Sequence, residues 1–145
     1  VTRSEFIAMT TAAAGLSVEP TSETDFADDG GLSAWAKPFI SAAAANGLVS
    51  GYTTASGVSE IRGEKTITMA EAGVVLDHML GGTLDGVQYV WSMSGHSAQD
   101  WAQPAMARLT QAGVLTAVQA QSEDAPVDRR TACELLYRAL YLLDS

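Results

Sequence analysis

Few side chains of this sequence are suited to act as a catalytic base or nucleophile. The 145 residues include two histidines and one cysteine. His78 falls on the polar side of a predicted helix, opposite an apolar stripe that includes Val75 and Leu76, so we expect it at the surface. His96 lies in a predicted loop whose serines lack the Gly-x-Ser-x-Gly turn of serine hydrolases. We therefore expect neither enzymatic activity nor a cofactor.

A short acidic cluster raises the question of calcium binding. Asp25, Asp28 and Asp29, followed by Gly30, resemble the start of a calcium loop that begins at Asp25. However, Ala27 interrupts the ligand positions, and Ala36 stands where the loop needs a bidentate glutamate. The cluster therefore favours no metal site. Asp28 is left with two interpretations, as a residue that fixes the entry to the next helix or as a ligand contact.

Charge and composition exclude several classes of partner. The chain has 8 basic and 17 acidic residues and a formal net charge of −9, the wrong sign for nucleic acid or an anionic membrane. No apolar run approaches the roughly 20 residues of a membrane span. Apolar residues make up 47% of the chain, which favours one folded, compact domain.

The single Cys133 cannot form an internal disulfide, and we predict that it is a small buried hydrophobic residue.

Two motifs recur along the chain and predict a repeated helical unit. The first is Trp-Ala-x-Pro, which occupies residues 35–38 and returns at 101–104. The second begins at Val1, Ile67 and Val127, so its first step equals the spacing of the Trp motif and its second step is slightly shorter. Each copy of the second motif precedes an apolar pattern of helical period. The repeat therefore consists of two kinds of helix in alternation.

The second motif predicts the N-terminus of a helix. Thr2 with Glu5, and Thr68 with Glu71, spell the capping box, in which the hydroxyl and the glutamate each satisfy a backbone N–H. Asp128 is a suitable cap for the third copy, where the glutamate is missing. With the two Trp-containing helices this predicts five helices and a mainly α fold.

The Trp-containing helices are predicted to begin near residues 33 and 100 and to end at Gly47 and Gly113. Trp35 and Trp101 fall on their apolar stripes, which predicts that both anchor the core. The alanine run 42–45 allows a neighbouring helix to approach closely. A glycine-bearing loop follows, with short extended pieces near residues 58–61.

The segment from Phe26 to Leu80 resembles the S-layer homology modules that tether bacterial surface proteins to cell-wall polymers. Such a module opens with Phe-x-Asp and continues through a Trp-Ala helix to an Asn-Gly-hydrophobic-x-Gly-Tyr turn. A Gly-rich loop with a Phe-Arg-Pro-like motif follows, and the module closes with a Thr-Arg-Ala-Glu helix. The matching residues are Phe26 and Asp28, Trp35-Ala36, residues 46–52, Ile61-Arg62 and Thr68–Glu71, with Met69 in place of the arginine.

The resemblance implies a division into modules. Residues 26–82 resemble a complete module, residues 89–143 a degenerate one, and residues 1–16 the closing helix of a third. All are expected within one compact domain, as tandem helical repeats packed around a shared helical core in a pseudo-threefold arrangement.

The resemblance also implies the function: a non-catalytic domain at the cell surface or cell wall of a secreted protein, binding secondary cell-wall polysaccharide, often through a pyruvylated sugar. The pyruvyl ketal of such a sugar carries a carboxylate, which a helix N-terminus and the forked guanidinium group of an arginine would bind. The implied glycan-binding residues are Arg3, Arg62, Arg129, Asp28, Gly51 and Tyr52.

A second interpretation is a degenerate module that binds protein and no glycan. Met69, the eroded last copy and the acidic charge favour it. The first capped helix has no Trp-containing helix before it in this sequence. We therefore expect it to leave an apolar face for self-association or for another domain.

Overall fold

The computed structural model describes residues 1–81 and 101–143, and these are mainly helical, as predicted. The five expected helices are present, together with a sixth, short helix that was not expected. The helices are α1 (Arg3–Ala13), α2 (Ala36–Ala45), α3 (Met69–Met79), α4 (Gln103–Gln111), α5 (Ala117–Ala120) and α6 (Arg129–Leu143), with a 3₁₀ turn at Asp29–Gly31. Strands β1 (Tyr52–Thr53) and β2 (Ser59–Glu60) pair antiparallel, with Tyr52 opposite Glu60. None of the helices in these ranges is long and apolar enough to cross a membrane.

The chain divides into two compact units, Val1–Thr66 and Ile67–Ser145. In the first, α1 packs on α2, and in the second α3 packs on α4 and α5. Each unit therefore joins a capped helix, α1 or α3, to the helix and loop that follow it in sequence. The module boundaries at 1–16, 26–82 and 89–143 remain a prediction.

The helix starts are built as the sequence predicts. The Thr2 hydroxyl accepts the Glu5 N–H at 3.1 Å, and the Glu5 carboxylate accepts the Thr2 N–H at 2.9 Å. Thr68 and Glu71 form the same box at 3.2 and 2.9 Å. At the third start, the Asp128 carboxylate accepts the backbone N–H three residues on, at 2.7 Å. These bonds satisfy N–H groups that a helix N-terminus leaves open.

The start of α1 is also tied to the loop after α2. The Arg3 N–H donates to the Lys65 carbonyl at 2.8 Å, and the Ser4 N–H donates to the Gly63 carbonyl at 2.9 Å. Because these are the first N–H groups of the helix, the loop supplies acceptors that the helix itself lacks.

The second unit repeats this connection. The Met69 N–H donates to the Ala125 carbonyl and the Ala70 N–H to the Glu123 carbonyl, both at 2.9 Å. The two donors follow Arg3 and Ser4 by the first step of the sequence repeat, and the two acceptors follow those of the first unit by its second step. The sequence repeat therefore corresponds to a repeat of the same backbone contacts.

The first helix does not lack a partner, so the expectation of an uncovered face on α1 is wrong. Phe6 and Ile7 of α1 are fully buried, and the buried Ala42 and Ala43 of α2 allow the close approach that the alanine run predicts. The largest fully buried side chains of the two units are Phe6, Ile7, Ile40 and Ile61 in the first and Ile67, Leu76, Leu80, Met106, Leu109, Val114, Val127 and Leu135 in the second.

Three residues predicted to be buried lie at the surface. Trp35 is 52% exposed and Trp101 50% exposed, because each precedes its helix, which begins later than predicted. Trp35 contacts Phe39 edge-on, with ring centroids 6.5 Å apart. Cys133 is exposed, because it lies on a face of α6 that the second unit does not cover, whereas its neighbour Ala132 is fully buried. His78 is exposed, as expected.

Candidate functional site

Arg3 lies inside the first unit, where its guanidinium group contacts the hairpin formed by β1 and β2 and the residue that follows it. The side chain is only 6% exposed. Its Nε donates to the Ile61 carbonyl at 2.8 Å, and Nη1 lies 3.3 Å from the Tyr52 hydroxyl. The guanidinium carbon is 4.8 Å from the centroid of the Tyr52 ring, within the range of a cation–π contact. Arg3 therefore joins the start of α1 to the hairpin.

Arg62 approaches the same ring from the loop after β2. Its guanidinium carbon is 4.5 Å from the Tyr52 ring centroid, and its Nε is 3.4 Å from Oε1 of Glu60. In the described residues it is the one non-glycine residue with positive φ, at 54°. This conformation costs about 1–2 kcal/mol. Two arginines thus converge on one tyrosine, and one of them is held in a strained conformation.

Asp28 supports the strained loop. Its Oδ1 accepts the Ile61 N–H at 3.0 Å and its Oδ2 accepts the Arg62 N–H at 2.8 Å. Such charge-assisted bonds are stronger than bonds between neutral groups. Asp28 therefore fixes the loop of Arg62 and not the entry to the next helix, and its role as a ligand contact remains a prediction.

The neighbouring acidic residue fixes the segment before α2. Asp29 accepts hydrogen bonds from the Thr24 N–H at 2.6 Å and hydroxyl at 2.8 Å, and its other oxygen is 3.1 Å from the Lys37 ammonium. The bonds from Thr24, followed in importance by those from Lys37, lower the pKa of Asp29. Within residues 1–81 and 101–143, no group of His, Cys, Asp and Glu side chains is arranged to hold a metal ion.

Gly51 places Tyr52 at the start of β1. Its φ is +81°, and a β-carbon there would lie 2.7 Å from Cε1 of Phe26 and 2.8 Å from the Glu60 carbonyl oxygen. Both values are below the distance at which side-chain carbons contact other atoms. Gly51 is therefore required both by its backbone conformation and by the packing of Phe26.

A groove of about 350 Å³ opens beside this cluster. Its charged lining residues are Arg62 and Lys65 against Asp28, Glu60 and Glu64. The remaining lining residues are Gly31, Leu32 and Gly63. Since Asp28 is engaged by backbone N–H groups and Glu64 accepts from the Ser33 hydroxyl at 3.0 Å, Glu60 is the carboxylate that neutralises Arg62.

The structure brings together five of the six residues implied as glycan contacts, all in the first unit. The sixth, Arg129, begins α6 in the second unit, where it is exposed. The hydrogen bonds from Thr131 to the adjacent Asp128 lower the pKa of that carboxyl. His96 and the start of the predicted module 89–143 lie outside the described residues.

The second unit does not reproduce the cluster. Met69 occupies the position of Arg3, and the second step of the sequence repeat places Ser122 at the position of Arg62. The region that forms the hairpin in the first unit is replaced by α5 in the second. A paired-arginine site therefore occurs in the first unit and has no counterpart among the described residues of the second.

Sequence reasoning missed two residues of the site, Glu60 and Lys65. It also did not pair Arg3 with Tyr52, 49 residues away. The sequence predicted short extended pieces only near residues 58–61 and did not predict their pairing with Tyr52.

The family comparison covers the same region. Residues 25–72 match the S-layer homology domain, and the match includes Asp28, Gly51, Tyr52 and Arg62 but begins after Arg3. No curated protein sequence matches the chain. Domains of this family generally anchor proteins to cell-wall polysaccharide. Over residues 25–72 the chain is therefore similar to the S-layer homology domain.

Proposed function

We propose that this chain is a non-catalytic anchoring domain that binds secondary cell-wall polysaccharide at the bacterial cell surface. The observation that supports the proposal most strongly is the strained Arg62, held by Asp28 beside Arg3 and Tyr52 at the edge of a groove. Strained residues persist where the surrounding structure determines their conformation, and they concentrate at functional sites.

A pyruvylated sugar suits this groove because its ketal carboxylate is planar and matches an arginine fork. Arg62 has an exposed side-chain fraction of 36% and would bind the carboxylate, with Lys65 at the groove lining. Arg3 is buried, so it would hold Tyr52 and add positive charge behind the ring. An anionic ligand must displace Glu60 from Arg62, which makes Glu60 a competitor of the ligand.

The proposal assigns the main glycan site to the first unit, and Arg129 would contact the polymer separately. The pseudo-threefold arrangement of helical repeats belongs to the proposal as well. The recurrence of the same loop contacts at Arg3 and Met69 supports a repeated unit.

Co-sedimentation with purified cell walls, before and after removal of the wall polysaccharide, tests the proposal. Arg62→Gln removes the fork and keeps a similar side-chain length, so we expect about tenfold or greater loss of affinity. Glu60→Gln removes the competing carboxylate and should raise the affinity. Arg130→Gln is the matched control, because Arg130 is exposed on α6 and pairs with Glu134.

Binding that survives removal of the polysaccharide would contradict glycan anchoring. Equal affinities for Arg62→Gln and Arg130→Gln would contradict the assignment of the site. If the protein binds no wall preparation, the alternative function, an assembly module that binds protein, is supported instead.

A further inference from the structure

The tryptophan of each Trp-Ala-x-Pro motif lies at the surface, although the alanine beside it belongs to the core. Trp35 is 52% exposed and Trp101 50% exposed, whereas Ala36 and Ala102 are fully buried. Tryptophan has the largest apolar ring of the amino acids and is on average well buried in folded proteins. Packing of the first unit therefore does not account for Trp35, and the paired-arginine site does not use it.

The exposed ring of Trp35 is supported by a second aromatic ring. Phe39 follows it by four residues, in the first turn of α2. The two ring centroids are 6.5 Å apart and the ring planes are inclined by 62°, which is an edge-to-face contact. In the second unit, Ala105 stands at the position of Phe39. The aromatic pair therefore belongs to the unit that also carries the paired-arginine site.

Trp35 comes directly after residues at the rim of the groove beside that site. Leu32 lines the groove, and the Ser33 hydroxyl donates to the Glu64 carboxylate, another part of the lining, at 3.0 Å. The Ala36 N–H donates to the Ser33 carbonyl at 3.0 Å, which closes a turn that contains Trp35. Because consecutive Cα atoms are about 3.8 Å apart, those of Leu32 and Trp35 are at most about 11 Å apart. The ring is therefore within reach of a chain molecule that leaves the groove.

We propose that Trp35 is a stacking platform for a neutral sugar that follows the carboxylate-bearing sugar along the same glycan. The C–H groups on one face of a pyranose ring carry a weak positive charge and the face of the indole ring is negative, so the two faces attract each other and bury apolar surface. The groove has a volume of about 350 Å³, near the lower limit for small-molecule sites, so a polysaccharide must continue outside it. This inference rests on the proposed function and adds a contact for the uncharged part of the polymer.

The surroundings of Trp35 favour a sugar over a protein partner. In residues 1–66, the exposed large hydrophobic residues are Trp35 and Val58, and they belong to different elements, the start of α2 and the hairpin turn. A stable protein interface buries about 800 Å² on each partner and has an apolar centre made by several side chains. A lone aromatic ring instead has the contact area that one pyranose ring covers.

Calorimetric titration with two probes tests the proposal: purified wall polysaccharide and a methyl glycoside of one pyruvylated hexose. We expect Trp35→Ala to weaken binding of the polysaccharide by about fivefold or more and to leave binding of the single sugar unchanged. Trp35→Phe keeps an aromatic face and should retain most of the affinity. Trp101→Ala is the matched control, because Trp101 is equally exposed in a unit without the paired-arginine site. Arg62→Gln should weaken binding of both probes.

A second readout follows the ring itself. With Trp91→Phe and Trp101→Phe, Trp35 is the one remaining indole of the sequence. Its fluorescence should shift to shorter wavelength when the polysaccharide binds, because the sugar replaces water on the ring, and should not shift with the single pyruvylated sugar.

Equal polysaccharide affinities for Trp35→Ala and Trp101→Ala, with Arg62→Gln still defective, would overturn the stacking role and leave the proposed function intact. If Arg62→Gln also binds normally, the proposed function fails as well. An equal loss for both probes in Trp35→Ala would also overturn the proposal, because the ring would then act on the sugar in the groove. Binding to walls stripped of polysaccharide that depends on Trp35 would make the ring a protein contact and would overturn it too.

Discussion

At the scale of single residues, the hairpin of the first unit depends on a position that admits no side chain. Gly51 has a φ of +81° and lies against Phe26 and the Glu60 carbonyl. Gly57, in the hairpin turn, has a similar φ of +86°, but a β-carbon there would meet no described atom within 4 Å. The two glycines therefore share the backbone requirement and differ in packing.

Alanine substitutions at Gly51 and Gly57 distinguish the cost of backbone strain from the cost of overlap with neighbouring atoms. Gly57→Ala should lower the free energy of unfolding by about 1–2 kcal/mol, the cost of a left-handed backbone for a residue with a β-carbon. Gly51→Ala should lower the free energy of unfolding by about 1–3 kcal/mol more than Gly57→Ala, because the added methyl group overlaps Phe26. Urea unfolding of both variants measures the difference. Equal losses would show that Phe26 relaxes without cost and that its packing does not fix the hairpin.

Residue types were easier to predict than residue environments. Asp28, Tyr52 and Arg62 were identified through the family resemblance, and the structure brings them together. Trp35 and Trp101 were placed in the core because they lie in register with an apolar stripe. An apolar stripe predicts which side chains face the core only for residues inside the helix. Both tryptophans lie just before their helices begin.

At the scale of elements, α3 and α4 are joined by an ion pair that the sequence did not reveal. Arg108 Nε is 2.9 Å from Asp77 Oδ1, and its Nη2 is 2.6 Å from Oδ2. The Asp77 residue is only 7% exposed. Periodicity cannot predict this pair, because the partners belong to different helices and are 31 residues apart.

Removing one member of this pair should be costly, because it leaves the other charge without its bidentate partner. We expect Asp77→Ala to lower the free energy of unfolding by about 1–3 kcal/mol, at the lower end because the Arg108 side chain is 31% exposed. Glu134→Ala is the control, since its pair with Arg130 is on the surface and should be worth less than about 0.5 kcal/mol.

A double-mutant cycle with Arg108→Ala measures the coupling of the pair directly by chemical unfolding. Strict additivity of Asp77→Ala and Arg108→Ala would mean that the ion pair contributes nothing to the packing of α3 on α4. The capping boxes are the opposite case, because their partners are three residues apart and the sequence alone predicted them.

At the scale of the whole molecule, the compact units do not follow the modules read from the sequence. The predicted module 26–82 ends with α3, whereas α3 packs on α4 and α5 in the unit Ile67–Ser145. A sequence repeat fixes the period but not the point at which one copy ends, since any starting point gives the same offset. Which helices pack together is decided by contacts such as those of Ser4 with Gly63, and these cannot be inferred from the period.

The unfolding of two fragments of similar length distinguishes the division into compact units from the division into sequence modules. Residues 1–66 retain α1 on α2, the capping box of Thr2 and the contacts of Arg3 with the hairpin, so we expect this fragment to unfold cooperatively in urea. Residues 26–82 lose α1 from α2 and retain α3 without α4. Their buried faces would be open to water, and we expect little helical circular dichroism and no cooperative transition. A cooperative transition in 26–82 but not in 1–66 would mean that the sequence module, rather than the helix pair α1 and α2, is the folding unit.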